Sequence, residues 1–302
     1  MNPVSVIETQ ATATTDQINT ELAMSWKMPR VIAAFRLVTT CMLVALFWKW
    51  AFFLAADHVY VILPLADSFF PAWLQSIWTL RMAFVVTTSA LSFAFVTDKS
   101  SLRHVACWYA LIGVTILVWH QGAHNDMTFA TAWWTCLWAV WFTGRIGKIA
   151  DLESEQGRAA GEELMHRAAF LSRLIVSLIL LGGAVGKWTS EYWSGQVFYE
   201  IYFIDRDFWV FNWLRATCDQ EALREIATWY SRKAVVIETL GGFGIWLLPP
   251  RHAAAAGVLI FASIALLSNF LLFSVLLTMI GLSAVGWFAV GKPPVRSAAV
   301  KP

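Results

Sequence analysis

The sequence predicts an all-α, polytopic membrane protein, a transmembrane helical bundle of about eight spans with an aromatic-rich helical cap at one interface. Three observations support this fold class. Of the 302 residues, 58% are hydrophobic and 14% are charged, whereas charged residues make up about 25% of a typical soluble domain. The mean hydropathy is +0.59. The chain also holds 18 Trp and 21 Phe residues, and Trp favours the two membrane interfaces.

Polar segments lie at both ends of the apolar region. The N-terminal segment is rich in Thr and Gln and lacks the basic start and small-residue cleavage site of a signal peptide. We therefore expect a flexible cytoplasmic tail at 1–26, a membrane domain at 27–291 and a cytoplasmic tail at 292–302.

Eight apolar runs have about the 20 residues that a membrane-spanning helix needs. They lie at about 31–55, 77–97, 104–121, 128–146, 167–188, 233–249, 252–268 and 270–291. The region 252–290 is an almost uninterrupted apolar run, and we place the break between its two helices at Ser268-Asn269. Because this break is not marked clearly, seven or nine spans remain possible. The acidic stretch 147–166 is typical of a solvated connection.

The distribution of Lys and Arg predicts the orientation. Loops on one side carry these residues, whereas the opposite loops, 56–76 and 120–127, contain none. Because cytoplasmic loops are enriched in Lys and Arg, we expect both termini in the cytoplasm, in a bacterial cytoplasmic membrane. The outer segment 189–232 has arginines interleaved with acids, and long loops translocate largely regardless of charge. Its many aromatic residues predict one or two short helices lying in the interface.

Charge and cysteine usage exclude several classes of protein. The formal net charge is +2 and the basic residues are scattered, so no nucleic-acid partner is predicted. The four cysteines show no CxxC or Cys/His spacing, and neither a disulfide framework nor a metal site is predicted. The predicted partner is the lipid bilayer.

Lys187 lies at the rim of a long apolar run and is the first candidate site residue. An ammonium near hydrocarbon costs roughly 2 to 3 kcal/mol, so such a lysine suggests a site with a partner. Partial burial also favours the neutral amine that a base requires. Glu191, four residues later, would share its helical face if the helix continued that far. A snorkelling lysine or an interfacial ion pair remains the alternative.

A turn on the same predicted side carries two imidazoles and a carboxylate. His120, His124, Asn125 and Asp126 lie close together between the third and fourth predicted helices. His and Asp suit general-base chemistry, whereas His-x3-His without further ligands is weak evidence for a metal. The alternative is an ordinary solvated loop.

Glu238 is the third candidate because it lies within an otherwise apolar run. A carboxylate in that position must be paired or protonated. Lys187, Lys49, Arg81 or a histidine of the 120–126 turn could be the partner, and the sequence does not choose among them. Lys49, between two tryptophans, could join this cluster or hold the helix end at the interface.

Several short motifs resemble one membrane-protein family. Gly183-Ala-Val-Gly-Lys187, followed by Trp193 and Gly195, is similar to the segment around the catalytic lysine of vitamin K-dependent gamma-carboxylases and their bacterial relatives, the HTTM (horizontally transferred transmembrane) family. Ala123-His124-Asn125-Asp126 resembles that family's Asn/His segment before a membrane helix. Weaker similarities are Ala34-Phe35-Arg36-Leu37 and Glu238 followed by Trp246-Leu-Leu-Pro-Pro-Arg251, and all occur in the family's order.

This resemblance implies a site on the non-cytoplasmic face of a helical membrane domain. Lys187 would be the base, His124 its partner and Glu238 the residue that tunes it. The implied activity is carboxylase-like, lyase-like or quinone-coupled, acting on a peptide or lipid, and a reduced quinone is the implied cofactor. In the carboxylase, reaction of the reduced quinone with oxygen generates the strong base that deprotonates glutamate.

Two other functions remain open at the level of sequence. The first is a non-catalytic membrane factor that helps to mature or export a secreted peptide, for which 189–232 would be the docking surface. The second is a DoxX-like, quinone-interacting redox subunit. The first function predicts that a conservative change at Lys187 is tolerated, and the second predicts that the protein copurifies with quinone.

Overall fold

The computed structural model describes residues 30–62, 71, 73–120, 127–149, 152, 154–204, 206–267 and 272–289, and all regular structure within these ranges is helical. The helices are α1 Arg30–Trp48, α2 Trp50–Leu54, α3 Ala56–Ile62, α4 Ile77–Val96, α5 Ser100–His120, α6 Met127–Ile146, α7 Glu155–Val185, α8 Ser190–Trp193, α9 Gln196–Phe198, α10 Trp209–Thr217, α11 Gln220–Gly244, α12 Pro250–Leu267 and α13 Phe273–Ala284. A π-helical turn at Tyr199–Ile204 follows α9, and a 3-10 turn at Val285–Phe288 follows α13.

Each predicted apolar run lies largely on a helix, but three boundaries differ from the prediction. The first run is interrupted at Lys49, between α1 and α2. The fifth is the C-terminal part of α7, so most of the expected connection at 147–166 is helical. The sixth is the second half of α11. The expected break at Ser268-Asn269 lies outside the described residues.

Within the part of the chain that the structure describes, four helices are long and apolar enough to cross a membrane, namely α1, α4, α5 and α7. Helices α12 and α13 are apolar but shorter. A helix needs about 20 predominantly apolar residues to cross the hydrocarbon. This architecture fits an integral membrane protein in a lipid environment.

Helices α1 and α13 lie at the centre of the main core, and each packs against α6, α7 and the other. Small residues bring the central helices close together. A Cβ added to Gly281 on α13 would lie only 2.7 Å from the Cβ of Cys41 on α1. Such contacts between small residues are a common way for membrane helices to associate.

A second, aromatic core lies in the segment between α7 and α12. Its buried residues come from α9, the π-helical turn, α10 and α11, and they are Phe198, Phe203, Phe211, Leu223 and Ala227. We predicted one or two short helices at 189–232, whereas this region contains three short α-helices, the π-helical turn and the first half of α11. These aromatic side chains thus pack on one another and on α11, rather than acting only as isolated contacts to lipid.

Candidate functional site

Lys187, in the turn after α7, and Glu238, in the second half of α11, form an ion pair. Lys187 Nζ donates a hydrogen bond to Glu238 Oε1. The side chains are 27% and 14% exposed, respectively, so the pair is largely removed from water. Of the partners that the sequence left open for Glu238, the structure brings Lys187 to it.

Gly183 allows this carboxylate to lie directly against α7. A Cβ added at Gly183 would be 3.3 Å from Glu238 Oε2 and 3.9 Å from Lys187 Nζ. Glu238 Oε2 is buried and accepts no hydrogen bond from the described residues. The carboxylate therefore depends on Lys187, and loss of one partner would leave the other charge buried without compensation.

The turn after α7 is held by a row of polar side chains on α11. The contacts are Trp188 Nε1 to Thr239 Oγ1 at 3.3 Å, Ser231 Oγ to the Tyr192 carbonyl, Arg232 Nε to the Trp193 carbonyl at 3.1 Å, and Thr228 Oγ1 to the Ser194 carbonyl at 2.7 Å. Together with the ion pair, these bonds fix the position of Lys187 relative to α11.

Gly195 ends this turn in a conformation that other residues rarely adopt. Its φ is +82°, and an added Cβ would be 2.4 Å from Thr228 Cα. Both the left-handed backbone and the close approach of α11 require glycine. Gly195, which follows the Lys187 segment, therefore allows the turn to pack directly against α11.

A cavity of about 500 Å³ opens beside the ion pair. Aromatic side chains form much of its wall, namely Tyr192, Phe198, Tyr202, Trp229 and Tyr230, and Lys233, Ser263, Ile264 and Leu272 also line it. This volume is in the range of cavities that bind small molecules, and a mainly apolar wall with a few polar groups is typical of them.

Tyr192 lies in the cavity wall next to the lysine. The Lys187 Nζ lies 5.9 Å from the centroid of the Tyr192 ring. Burial raises the pKa of Tyr192, and the nearby Tyr202 hydroxyl and Glu238 carboxylate raise it further. Tyr192 therefore stays protonated at neutral pH and remains a hydrogen-bond donor.

Lys187 and Glu191 do not share a helical face, because the helix does not continue as far as that arrangement requires. Helix α7 ends at Val185, before Lys187, and Glu191 lies in the separate helix α8. Glu191 is exposed, and hydrogen bonds from its own backbone amide and from the Ser190 and Thr189 hydroxyls lower its pKa. Glycines at 182, 183 and 186 weaken the end of the helix, which explains why the helical spacing does not continue.

The remaining candidates lie elsewhere or are not described. His120 is buried at the end of α5, where Nε2 donates to the Leu74 carbonyl. Lys49 is half-buried between α1 and α2. Neither residue lines the cavity beside Lys187. His124, Asn125 and Asp126 lie outside the described residues.

Arg81, another partner considered for Glu238, instead binds the end of α2 and the first turn of α3. Its Nη2 lies 2.7 Å from Asp57 Oδ2, and its Nε donates to the Phe53 carbonyl at 3.0 Å. The guanidinium therefore has a local carboxylate and local backbone acceptors. This arrangement explains how a cation is accommodated within α4.

Sequence reasoning did not identify Lys233 as a site residue. Its ammonium lies 3.8 Å from the centroid of the Trp229 ring, and both residues line the cavity. The available signal was their spacing of four residues on α11, which brings an aromatic ring and a lysine together on one helical face.

The described fold and cavity define a class, namely a helical membrane protein with a charged, aromatic-walled cavity. Comparison of the chain with protein-family models, with curated proteins and with solved structures gave no match.

Proposed function

We propose that this chain is a membrane-embedded enzyme of the HTTM type that takes a proton from a lipid or peptide substrate. Lys187 is the base and Glu238 is its partner. One observation carries this proposal, namely the largely buried Lys187–Glu238 pair in the wall of a cavity of about 500 Å³. A largely desolvated pair of titratable groups in a cleft is a candidate for a functional site.

The hydrogen bond within the pair provides a path for the proton. Lys187 passes a proton to Glu238, which leaves a neutral amine and a carboxylic acid, and the amine then accepts the substrate's proton. Direct contact between Nζ and Oε1 meets the geometric requirement for this transfer. Tyr192, held protonated by burial, supplies a donor for negative charge that develops on the substrate.

The family resemblance also implies a reduced quinone, and the cavity suits a flat ring in size and in lining. Phe198, Tyr202 and Trp229 would hold the ring when a quinone, and no other apolar ligand, occupies the cavity. The quinone would supply reducing equivalents. The proton transfer described above uses only side chains of this chain.

The proposed topology has about eight spans, both termini in the cytoplasm of a bacterial cell, and 189–232 in the outer interface. Two tryptophans on α10 support the position of this cap. Trp209 and Trp213 are 63% and 62% exposed on one helical face, while Phe211 is buried in the aromatic core. Exposed indoles on an amphipathic helix favour the membrane interface.

The test compares Lys187→Arg and Lys187→Ala with wild type by complementation of a strain that lacks the gene. Arginine keeps the charge beside Glu238 but has no amine that can act as a base near neutral pH. We expect Lys187→Arg to be folded, judged by membrane expression and monodispersity, and inactive. An active and folded Lys187→Arg would overturn the proposed mechanism.

The exposed tryptophans of α10 favour a second candidate, the maturation or export factor for a secreted peptide. In that case Trp209 and Trp213 would form the docking surface. The double variant Trp209→Ser, Trp213→Ser would then abolish complementation, and Lys187→Arg would retain it. The opposite pattern supports the enzyme.

A further inference from the structure

The charges that line the cavity do not balance. Its wall contains the ammonium groups of Lys187 and Lys233 and one carboxylate, that of Glu238. Glu238 is bound to Lys187. No described carboxylate forms an ion pair with Lys233, so the lining carries one positive charge in excess.

Lys233 lies at the mouth of the cavity, at a defined position. The side chain is exposed, and its ammonium lies 3.8 Å from the centroid of the exposed Trp229 ring. A cation over an indole is held by the ring's electron density and keeps its donors available for an anion. Lys233 therefore presents a positioned ammonium where the aromatic wall meets the surroundings.

The interior beyond Lys233 suits an apolar body of limited size. Buried Phe198 and half-buried Tyr202, Tyr230 and Ile264 line it. About 500 Å³ lies within the range of sites for small molecules and is too small to enclose a two-chain phospholipid. A single hydrocarbon chain or ring system fits this space.

We propose that the cavity binds a single-tailed amphiphile with one carboxylate, whose head group binds Lys233 and whose apolar body lies against the aromatic wall. A monoanion matches the single excess charge, and charge complementarity of this kind determines specificity and orientation. With the carboxylate at Lys233, the Lys187–Glu238 ion pair stays intact in the wall beside the bound ligand. The inference rests on the proposed function, because it assigns a ligand class to the same site.

The experiment measures equilibrium binding of laurate and of dodecanol to the full chain in phosphatidylcholine nanodiscs, with protein-free nanodiscs as the blank. We expect Lys233→Met to weaken laurate binding by about tenfold to a hundredfold, as for loss of a hydrogen bond to a charged group. Dodecanol, which has the same chain without the charge, should bind both proteins equally. Lys233→Arg should retain laurate binding. Lys148→Met, which removes an exposed lysine that does not line the cavity, should match wild type.

Three results would overturn the inference. The first is laurate binding to wild type that does not exceed the blank, and the second is laurate binding to folded Lys233→Met that equals wild type. The third is displacement of laurate by phosphatidylglycerol in the nanodiscs, which would make the phospholipid the occupant. Binding and catalysis are tested by different variants. If Lys233→Met loses laurate binding and Lys187→Arg is active, this inference stands and the proposed mechanism is overturned. If Lys233→Met binds laurate as wild type does and folded Lys187→Arg is inactive, the mechanism stands and this inference is overturned.

Discussion

At the scale of single residues, Gly183 controls how closely the Glu238 carboxylate approaches α7. The missing side chain leaves space in which Glu238 Oε2 and Lys187 Nζ both lie within 4 Å of the position a Cβ would take. The neighbouring Gly182 has no such task, because a Cβ there would meet nothing within 4 Å. The two glycines therefore offer a matched pair of sites for the same substitution.

We predict that Gly183→Ala is less stable than Gly182→Ala by about 1 to 2 kcal/mol. Both changes gain the same helix propensity, about 1 kcal/mol, so the difference between the variants reports the added methyl group beside the carboxylate. Thermal unfolding in detergent measures it. Equal stabilities would show that the ion pair can shift without cost, and that Gly183 is not needed for its position.

At the scale of elements, α11 determines the conformation of the turn that carries Lys187. Thr228, Ser231 and Arg232 each donate a hydrogen bond to a carbonyl of this turn. These donors satisfy backbone groups between two helices, where unpaired carbonyls would be costly. The lysine is therefore positioned by a neighbouring helix and not by continuation of its own.

We predict that Gly195→Ala disrupts this turn and destabilises the protein by about 2 kcal/mol or more. A left-handed conformation alone costs a non-glycine residue about 1 to 2 kcal/mol, and the contact with Thr228 Cα adds to it. Limited proteolysis within 187–195 should become faster. Gly244→Ala, at a position with open space, is the control and should be cut as slowly as wild type. Cleavage of Gly195→Ala as slow as that of wild type would show that the turn does not require glycine at this position.

At the scale of the whole molecule, the proposed orientation can be tested with a native cysteine. Cys218 is partly exposed at the end of α10, while Cys41, Cys107 and Cys136 are buried. A membrane-impermeant maleimide added to intact cells should label wild type and should not label Cys218→Ser. Labelling that requires permeabilised cells would place 189–232 on the cytoplasmic side and contradict the proposed topology.

The order of the helices could be predicted from the sequence, because runs of apolar residues determine it directly. The breaks were harder to predict. Lys49 separates α1 from α2, although the surrounding residues are as apolar as those of a continuous span. The length of α7 was also underestimated, because its acidic first turns do not resemble a membrane helix.

The site itself shows where reasoning from sequence ends. Lys187 and Glu238 were identified because an unpaired charge in an apolar run is costly. Their pairing, however, joins residues 51 positions apart. Such a contact depends on how α7 and α11 pack, which spacing cannot reveal. The shared helical face with Glu191 depended on a continuous helix, and this helix ends two residues before Lys187.

The separation between Lys187 and Glu238 also has a consequence for biosynthesis. Lys187 leaves the ribosome 51 residues before its counter-charge, and the donors that hold the turn, from Thr228 onwards, also come later. Until α11 has been synthesised, the nascent chain carries an uncompensated ammonium beside a membrane helix. The turn that carries Lys187 can therefore fold only after α11 has been synthesised. A nascent chain arrested between Lys187 and Glu238 should still expose Lys187 to water.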